Sequence, residues 1–101
     1  NLIGNASFGV SLAGPGGHRV LGNAIGDAGF QSLPNGVGVV LLSPANRVED
    51  NLIARNTQIN VLLSGESAQF NVVANNQILI ATGVPGHGVS IQSGANRNRI
   101  G

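Results

Sequence analysis

Six residues have side chains suited to acid–base or metal chemistry: Asp27, Glu49, Asp50, Glu66, His18 and His87. Cleavage of a glycosidic bond needs two facing carboxylates, and calcium needs several oxygen ligands on one side of the ion. No three of these acids share a face in the repeat described below, and the two histidines occupy different registers of it. The sequence therefore predicts no catalytic residue, no metal site and no cofactor, and favours a protein that is not an enzyme.

The composition argues against several other classes of function. Charged residues make up only 9% of the 101 residues and the formal net charge is +1, so no broad basic surface is expected for nucleic acid. The chain has no cysteine, which excludes disulfides and thiolate metal ligands. No apolar run reaches membrane-spanning length, so we expect no membrane insertion.

An eight-residue phrase recurs along the chain. It runs from Asn46 to Ile53, again from Asn71 to Ile78, and from His18 to Ile25 with His in the first Asn position. Between its copies lies a second phrase, in which two aliphatic residues stand two positions apart, as in Val39 and Leu41. Such alternation is typical of a strand with one buried face. Each repeat therefore carries three short strands.

Strands this short cannot bury a face alone, but stacked coils place each strand parallel to and in register with its equivalent. The sequence thus predicts an all-β parallel β-helix of about four coils, with three strands per coil, as a single domain over residues 1–101. Its interior is expected to contain four aliphatic columns: Val10, Val39, Val61, Val89; Leu12, Leu41, Leu63, Ile91; Val20, Val48, Val73, Ile100; and Ile3, Ile25, Ile53, Ile78.

Asparagines recur at the corners between these strands and predict two ladders of side-chain amides running from coil to coil. The first comprises Asn1, Asn23, Asn51 and Asn76, and the second comprises Asn46, Asn71 and Asn98, with His18 in its fourth place. Ordinary turn asparagines are the alternative, but the register shared with the aliphatic columns favours ladders. Because asparagine tolerates the left-handed backbone conformation, we expect the ladder residues themselves to adopt it.

Arg19, Arg47 and Arg99 share one outward register of a strand, where the third coil has Val72. Glu49 lies two residues from Arg47 on the same face and is expected to pair with it. These arginines form either a binding strip for an anionic sugar or partner, or a solvated face that protects the fold. We prefer the second interpretation.

A second outward register places Val40, Leu42 and Leu62 close together on another face. The alternation predicts that they form a small exposed apolar patch. Exposed apolar patches often mark contact surfaces, so we expect another chain or another part of the same protein to cover this one.

These phrases together make the chain resemble the right-handed parallel β-helix repeat family, whose members include bacterial secreted and surface solenoids, polysaccharide lyases and epimerases. The resemblance covers the whole sequence through Asn-x-aliphatic-x-x-Asn-x-Ile and Gly-Val-x-Leu. It implies a right-handed coil and an extracellular or cell-surface location. It implies little about activity, because solenoids host many functions.

Two functions follow as hypotheses. The first is a structural or adhesive solenoid, either a self-stacking filament subunit or a segment of a surface protein. The second is a fragment of a carbohydrate-binding or polysaccharide-processing protein. The sequence carries no sign of a polar cap at either end, so we expect either a homo-oligomer or filament, or the rest of a longer solenoid, to cover the outer coils.

Overall fold

The computed structural model describes residues 2–4, 6–26, 34–79 and 87–101, apart from the side chains of Leu2 and His87. These residues form three sheets of four parallel strands each. Sheet A contains Leu2–Ile3 (β1), Ala24–Gly26 (β4), Leu52–Ala54 (β7) and Gln77–Leu79 (β10). Sheet B contains Phe8–Leu12 (β2), Val37–Leu41 (β5), Ile59–Ser64 (β8) and His87–Gln92 (β11). Sheet C contains Arg19–Leu21 (β3), Arg47–Glu49 (β6), Val72–Ala74 (β9) and Arg99–Ile100 (β12).

Each passage through sheets A, B and C makes one coil, so β1 to β3 form coil 1 and β10 to β12 form coil 4. Every strand pairs only with its equivalent in the neighbouring coil, and always in parallel. This topology confirms the predicted parallel β-solenoid of four coils with three strands each. The described residues include no helix long and apolar enough to cross a membrane.

The four predicted aliphatic columns are in register, and all their members except Ile91 and Ile100 belong to the interior apolar cluster or pack against it. Leu12, Leu41, Leu63 and Ile91 stand opposite one another through three successive strand pairs. The members from the two middle coils are almost fully buried and make one apolar cluster. Burying such side chains contributes about 1.5–3 kcal/mol each, so the columns are the main apolar stabilisation of coils too short to fold alone.

The outward face of sheet B differs from the predicted apolar patch. Val40 is only 4% exposed, while Leu62 is half-buried and Leu42 is exposed. Val40 lies outside the interior cluster, in register between Ser11 and Leu62 of the neighbouring coils. Val40 lies in a middle coil, so its branched side chain has neighbours about 4.8 Å away on both sides. Shielding by these neighbours contributes to its burial. The expected three-residue patch is therefore wrong at Val40.

The corner backbone also differs from expectation. None of the described ladder asparagines has a positive φ; the residue just before them does. In the ladder that precedes the strands of sheet C, the residues just before the asparagines are Ala45, Phe70 and Arg97. Their φ angles are 57°, 57° and 54°. The ladder asparagine has an ordinary φ, and its side chain points along the stack. The left-handed conformation that the turn requires is adopted by the preceding residue.

This placement of strain predicts the effect of glycine at a corner. Ala45 has a left-handed conformation that a Cβ disfavours, so Ala45→Gly should raise the free energy of unfolding by about 0.5–1 kcal/mol. Ala74→Gly, in strand β9, is the matched control and should lower it by about 0.5–1 kcal/mol. Urea denaturation measures both; shifts in the same direction would contradict the corner assignment.

The register of sheet B predicts a contrast between two adjacent leucines. Leu63 is fully buried in the interior cluster, so Leu63→Asp should abolish cooperative unfolding, because a charge would replace a core side chain. Leu62 is half-buried and lies outside that cluster, so Leu62→Asp should lower the free energy of unfolding by only about 1 kcal/mol.

Circular dichroism during urea titration distinguishes the two leucine variants. Equal losses would mean that both leucines face the interior, and a greater loss for Leu62→Asp would mean that the strand register is shifted by one residue.

Candidate functional site

The corner between sheets B and C carries the second predicted ladder, which the structure confirms. The backbone N–H groups of His18, Asn46 and Asn71 donate to the Oδ1 atoms of Asn46, Asn71 and Asn98, at 2.9, 2.8 and 3.0 Å. Each amide oxygen thus accepts from the coil closer to coil 1. His18 supplies only its backbone, because its Nε2 lies 3.0 Å from the carbonyl oxygen of Ala13. Its imidazole does not continue the amide ladder.

The corner between sheets C and A carries the first predicted ladder. Both the backbone N–H and the Nδ2 of Asn23 donate to Oδ1 of Asn51, at 2.8 and 3.2 Å. Asn51 makes the same two bonds to Oδ1 of Asn76, at 3.0 Å each. Asn51 also donates from Nδ2 to the carbonyl of Val20, 2.8 Å away. One side chain therefore both accepts from and donates to the corner between β3 and β4; Asn1 lies outside the described residues.

A third ladder, absent from the sequence prediction, occupies the corner between sheets A and B. The N–H groups of Ala6 and Asn35 donate to Oδ1 of Asn35 and Asn56, at 3.0 Å each. Asn60 then accepts from both N–H and Nδ2 of Asn56 in the same coil, and donates to the carbonyl of Leu79 in coil 4. Asn60 reaches the corner from inside β8, so its spacing differs from that of the other ladders.

Two glycines of sheet B make room for this third ladder. A Cβ at Gly9 would lie 2.8 Å from Nδ2 of Asn35, and one at Gly38 would lie 2.6 Å from Nδ2 of Asn56. A side chain at either glycine would displace the amides. The recurring glycine before the Val-x-Leu pair was the sequence signal for this ladder.

The ladders leave no buried side-chain donor or acceptor free at the described corners. Among the described residues, every buried side-chain nitrogen and oxygen has a hydrogen-bond partner. The ladder amides do not titrate in the accessible pH range, and their donors and acceptors are used in holding one coil to the next. The chemistry of this arrangement is cohesion between coils.

The arginine register on sheet C is confirmed: Arg19 stands opposite Arg47, and Val72 lies between Arg47 and Arg99. Arg47 makes two hydrogen bonds to Glu49, from Nε at 3.2 Å and from Nη2 at 2.8 Å. These bonds hold the pKa of Glu49 below its ordinary value, helped by the charges of Arg47 and Arg19 and opposed by desolvation. The predicted pair therefore exists, on an exposed face.

The other acids and histidines that the structure describes do not come together. Asp50 is exposed at a corner, Glu66 is exposed in the turn after β8, and Asp27 lies outside the described residues, as does the His87 side chain. Among the described residues, no three side chains of His, Asp or Glu are placed to hold a metal ion.

One exposed pair escaped the sequence analysis. Phe70 is 59% exposed, and the guanidinium of Arg97 in coil 4 lies 5.9 Å from the centre of its ring. Both residues have a positive φ, at 57° and 54°, so two large side chains stand at strained positions where coil 1 has Gly17. The two residues belong to no shared sequence motif, so only the folded corner shows that they are neighbours.

Comparison with known proteins gives no match: no protein-family model fits the sequence, and neither a curated protein nor a solved structure is significantly similar. The fold and the site therefore stand on the residues and geometry described above.

The ladder geometry predicts a selective loss for Asn51→Ala. The substitution removes the acceptor of two Asn23 donors and leaves the carbonyl of Val20 without its amide partner. Unpaired buried groups make the expected loss about 1–3 kcal/mol of unfolding free energy. Gln77→Ala, which removes an exposed amide from β10, is the control and should change it by less than about 0.5 kcal/mol. Coincident urea melts of Asn51→Ala and the parent would contradict the ladder.

The Arg47–Glu49 pair predicts a pH dependence. A lowered folded-state pKa stabilises the protein above the unfolded value, about 4.3, and this stabilisation is lost as pH falls through the folded value. Arg47→Gln should move the pKa of Glu49 back towards its ordinary value. Arg19→Gln should move it less, since Arg19 acts on Glu49 through its charge. NMR titration of the Glu49 carboxyl measures both; equal effects would contradict the bonded geometry.

Proposed function

We propose that this chain is a structural or adhesive β-solenoid of an extracellular or cell-surface assembly. The observation that carries the proposal is that the asparagines at all three corners bond one coil to the next, with backbone N–H groups donating to their Oδ1 atoms at 2.8–3.0 Å. Together with the aliphatic columns, these bonds give a rigid rod from short repeats. The location outside the cell is inferred from the resemblance to secreted and surface solenoids.

The proposal includes coverage of the open coil faces. Nearest-neighbour stacking stabilises solenoids, so a coil with no neighbour leaves apolar surface and strand edges in water. The covering coil comes either from another copy of this chain, giving a homo-oligomer or filament, or from the rest of a longer solenoid. The described surface of sheet C, with Arg47 paired to Glu49, fits the solvated face of such a rod.

The structural role is tested by direct assay for carbohydrate chemistry. The purified chain should leave uronate polymers unchanged after long incubation, as measured by absorbance of unsaturated products and by NMR of the sugar configuration. Formation of an unsaturated or epimerised sugar by the pure chain would overturn the structural role. Heat-denatured protein is the control for uncatalysed change.

Polysaccharide binding is the second candidate, and the Phe70–Arg97 corner is the observation that favours it. An exposed aromatic face offers a surface for a sugar ring, and the neighbouring guanidinium offers donors for a carboxylate. The described residues of coil 4 include Arg97 and Arg99 but no acid, and the acid of the neighbouring turn in coil 3 is Glu66, which lies against Gly94.

A glycan array tests this second candidate. Binding to acidic glycans should weaken in Phe70→Ala and in Arg97→Gln. Phe8→Ala is the matched control, because Phe8 is also an exposed aromatic but lies on another sheet. Absence of binding by the parent chain, or equal loss in Phe8→Ala, would remove this function.

A further inference from the structure

The two outermost described coils differ in how much of the interior they expose. Leu12 of coil 1 and Ile91 of coil 4 are opposite ends of one column, yet Leu12 is 7% exposed and Ile91 is 51% exposed. The column from Val20 to Ile100 shows the same contrast, at 7% and 42%. Coil 1 therefore leaves little of these columns in water, whereas coil 4 leaves about half of each terminal side chain.

The ladders also have a direction. In the ladders flanking sheet C, a backbone N–H of one coil donates to Oδ1 of the coil further from coil 1. In coil 4 the corresponding N–H groups belong to Asn76 and Asn98, and no described residue accepts from them. Coil 4 thus presents donors at two corners beside its exposed aliphatic side chains.

The third corner adds no requirement that the described residues show. Asn60 of coil 3 accepts from Asn56 and donates to the carbonyl of Leu79 in coil 4, and residues 80–86, which follow in that corner, lie outside the described residues. Among the described residues, a coil that stacks on coil 4 therefore has the two ladders flanking sheet C to continue.

We infer that the coil 4 face is an assembly surface for one kind of partner, a further β-solenoid coil running parallel to coil 4. The partner coil carries an asparagine over Asn76 and another over Asn98, and aliphatic side chains over Ile91 and Ile100. This inference deepens the structural role proposed above and rests on it. It assigns the direction in which coils are added beyond coil 4 and the side chains that the added coil must carry.

Coil 1 of a second copy meets these requirements only in part. By sequence register Asn1 takes the place over Asn76, but the place over Asn98 is filled by His18, whose imidazole is turned to the carbonyl of Ala13 and is not an amide. The columns at Leu12 and Val20 have little area left to bury, although Ile3 and Val10 are only partly buried. A coil with both asparagines therefore fits this surface better than a second copy of this chain.

An added coil tests the inference on the full chain. Gly101 follows Ile100, which stands in register with Val73, so a copy of residues 50–74 placed after Gly101 continues the repeat. The copied Asn51 and Asn71 then lie over Asn76 and Asn98. The control chain carries the same added coil with both copied asparagines replaced by alanine.

We expect hydrogen exchange of the β11 and β12 amides to slow by roughly tenfold or more in the extended chain, because paired donors and buried isoleucines oppose local opening. The urea midpoint should rise as well. The alanine control should protect these amides clearly less. Equal exchange in parent and extended chains would overturn the assembly surface, and equal protection by both extensions would overturn the requirement for asparagine.

Sedimentation of the parent chain over a concentration series tests whether a second copy covers coil 4. The parent chain should remain monomeric at protein concentrations at which the β11 and β12 amides of the extended chain are already protected from exchange. Concentration-dependent assembly that protects β11 and β12 would instead assign the surface to a second copy. Failure of these experiments would not overturn the proposed structural role. That role is tested separately by the assay on uronate polymers, and only turnover of the polymer would overturn it.

Discussion

The structure depends on one constraint, the pairing of backbone amides at corners where the strands end. A corner N–H cannot join a sheet ladder, and burying it unpaired is unfavourable. The asparagine side chain solves this by accepting from an N–H at the neighbouring corner while donating to a carbonyl of that same corner, as Asn51 does for Asn23 and Val20. Since the side chain is short, the corners must stack closely, and this fixes the register of the aliphatic columns.

The sequence predicted the features that recur at a fixed offset and missed those that do not. The columns through Ile53 and Leu63 and the ladders through Asn51 and Asn71 repeat with the strands, so their pattern shows the stacking directly. The third ladder uses Asn60 from inside a strand, which breaks the offset. The left-handed corner residues were also missed, since they range from alanine to phenylalanine and arginine and share no residue type.

Surface contacts were the least predictable part. Alternation along β5 gives the direction in which Val40 points but not what lies beside it, and its burial arises from the folded surroundings. The pair of Arg47 and Glu49 was predictable because the two residues stand two positions apart on one strand. Phe70 and Arg97 meet only because successive corners stack, so no local pattern in the sequence indicates the contact.

The direction of the ladders limits how such solenoids associate. In a two-fold contact between two coil 4 faces, neither copy would offer a ladder oxygen to the outward N–H groups of Asn76 and Asn98, because the Oδ1 atoms of these asparagines already accept from coil 3. That contact would bury Ile91 and Ile100 and still leave the donors unpaired, and unpaired buried donors oppose association. A parallel coil with asparagines satisfies both requirements at once. The hydrogen bonds that hold the four coils together thus also give the stack a direction, because each ladder oxygen flanking sheet C accepts from the coil nearer coil 1.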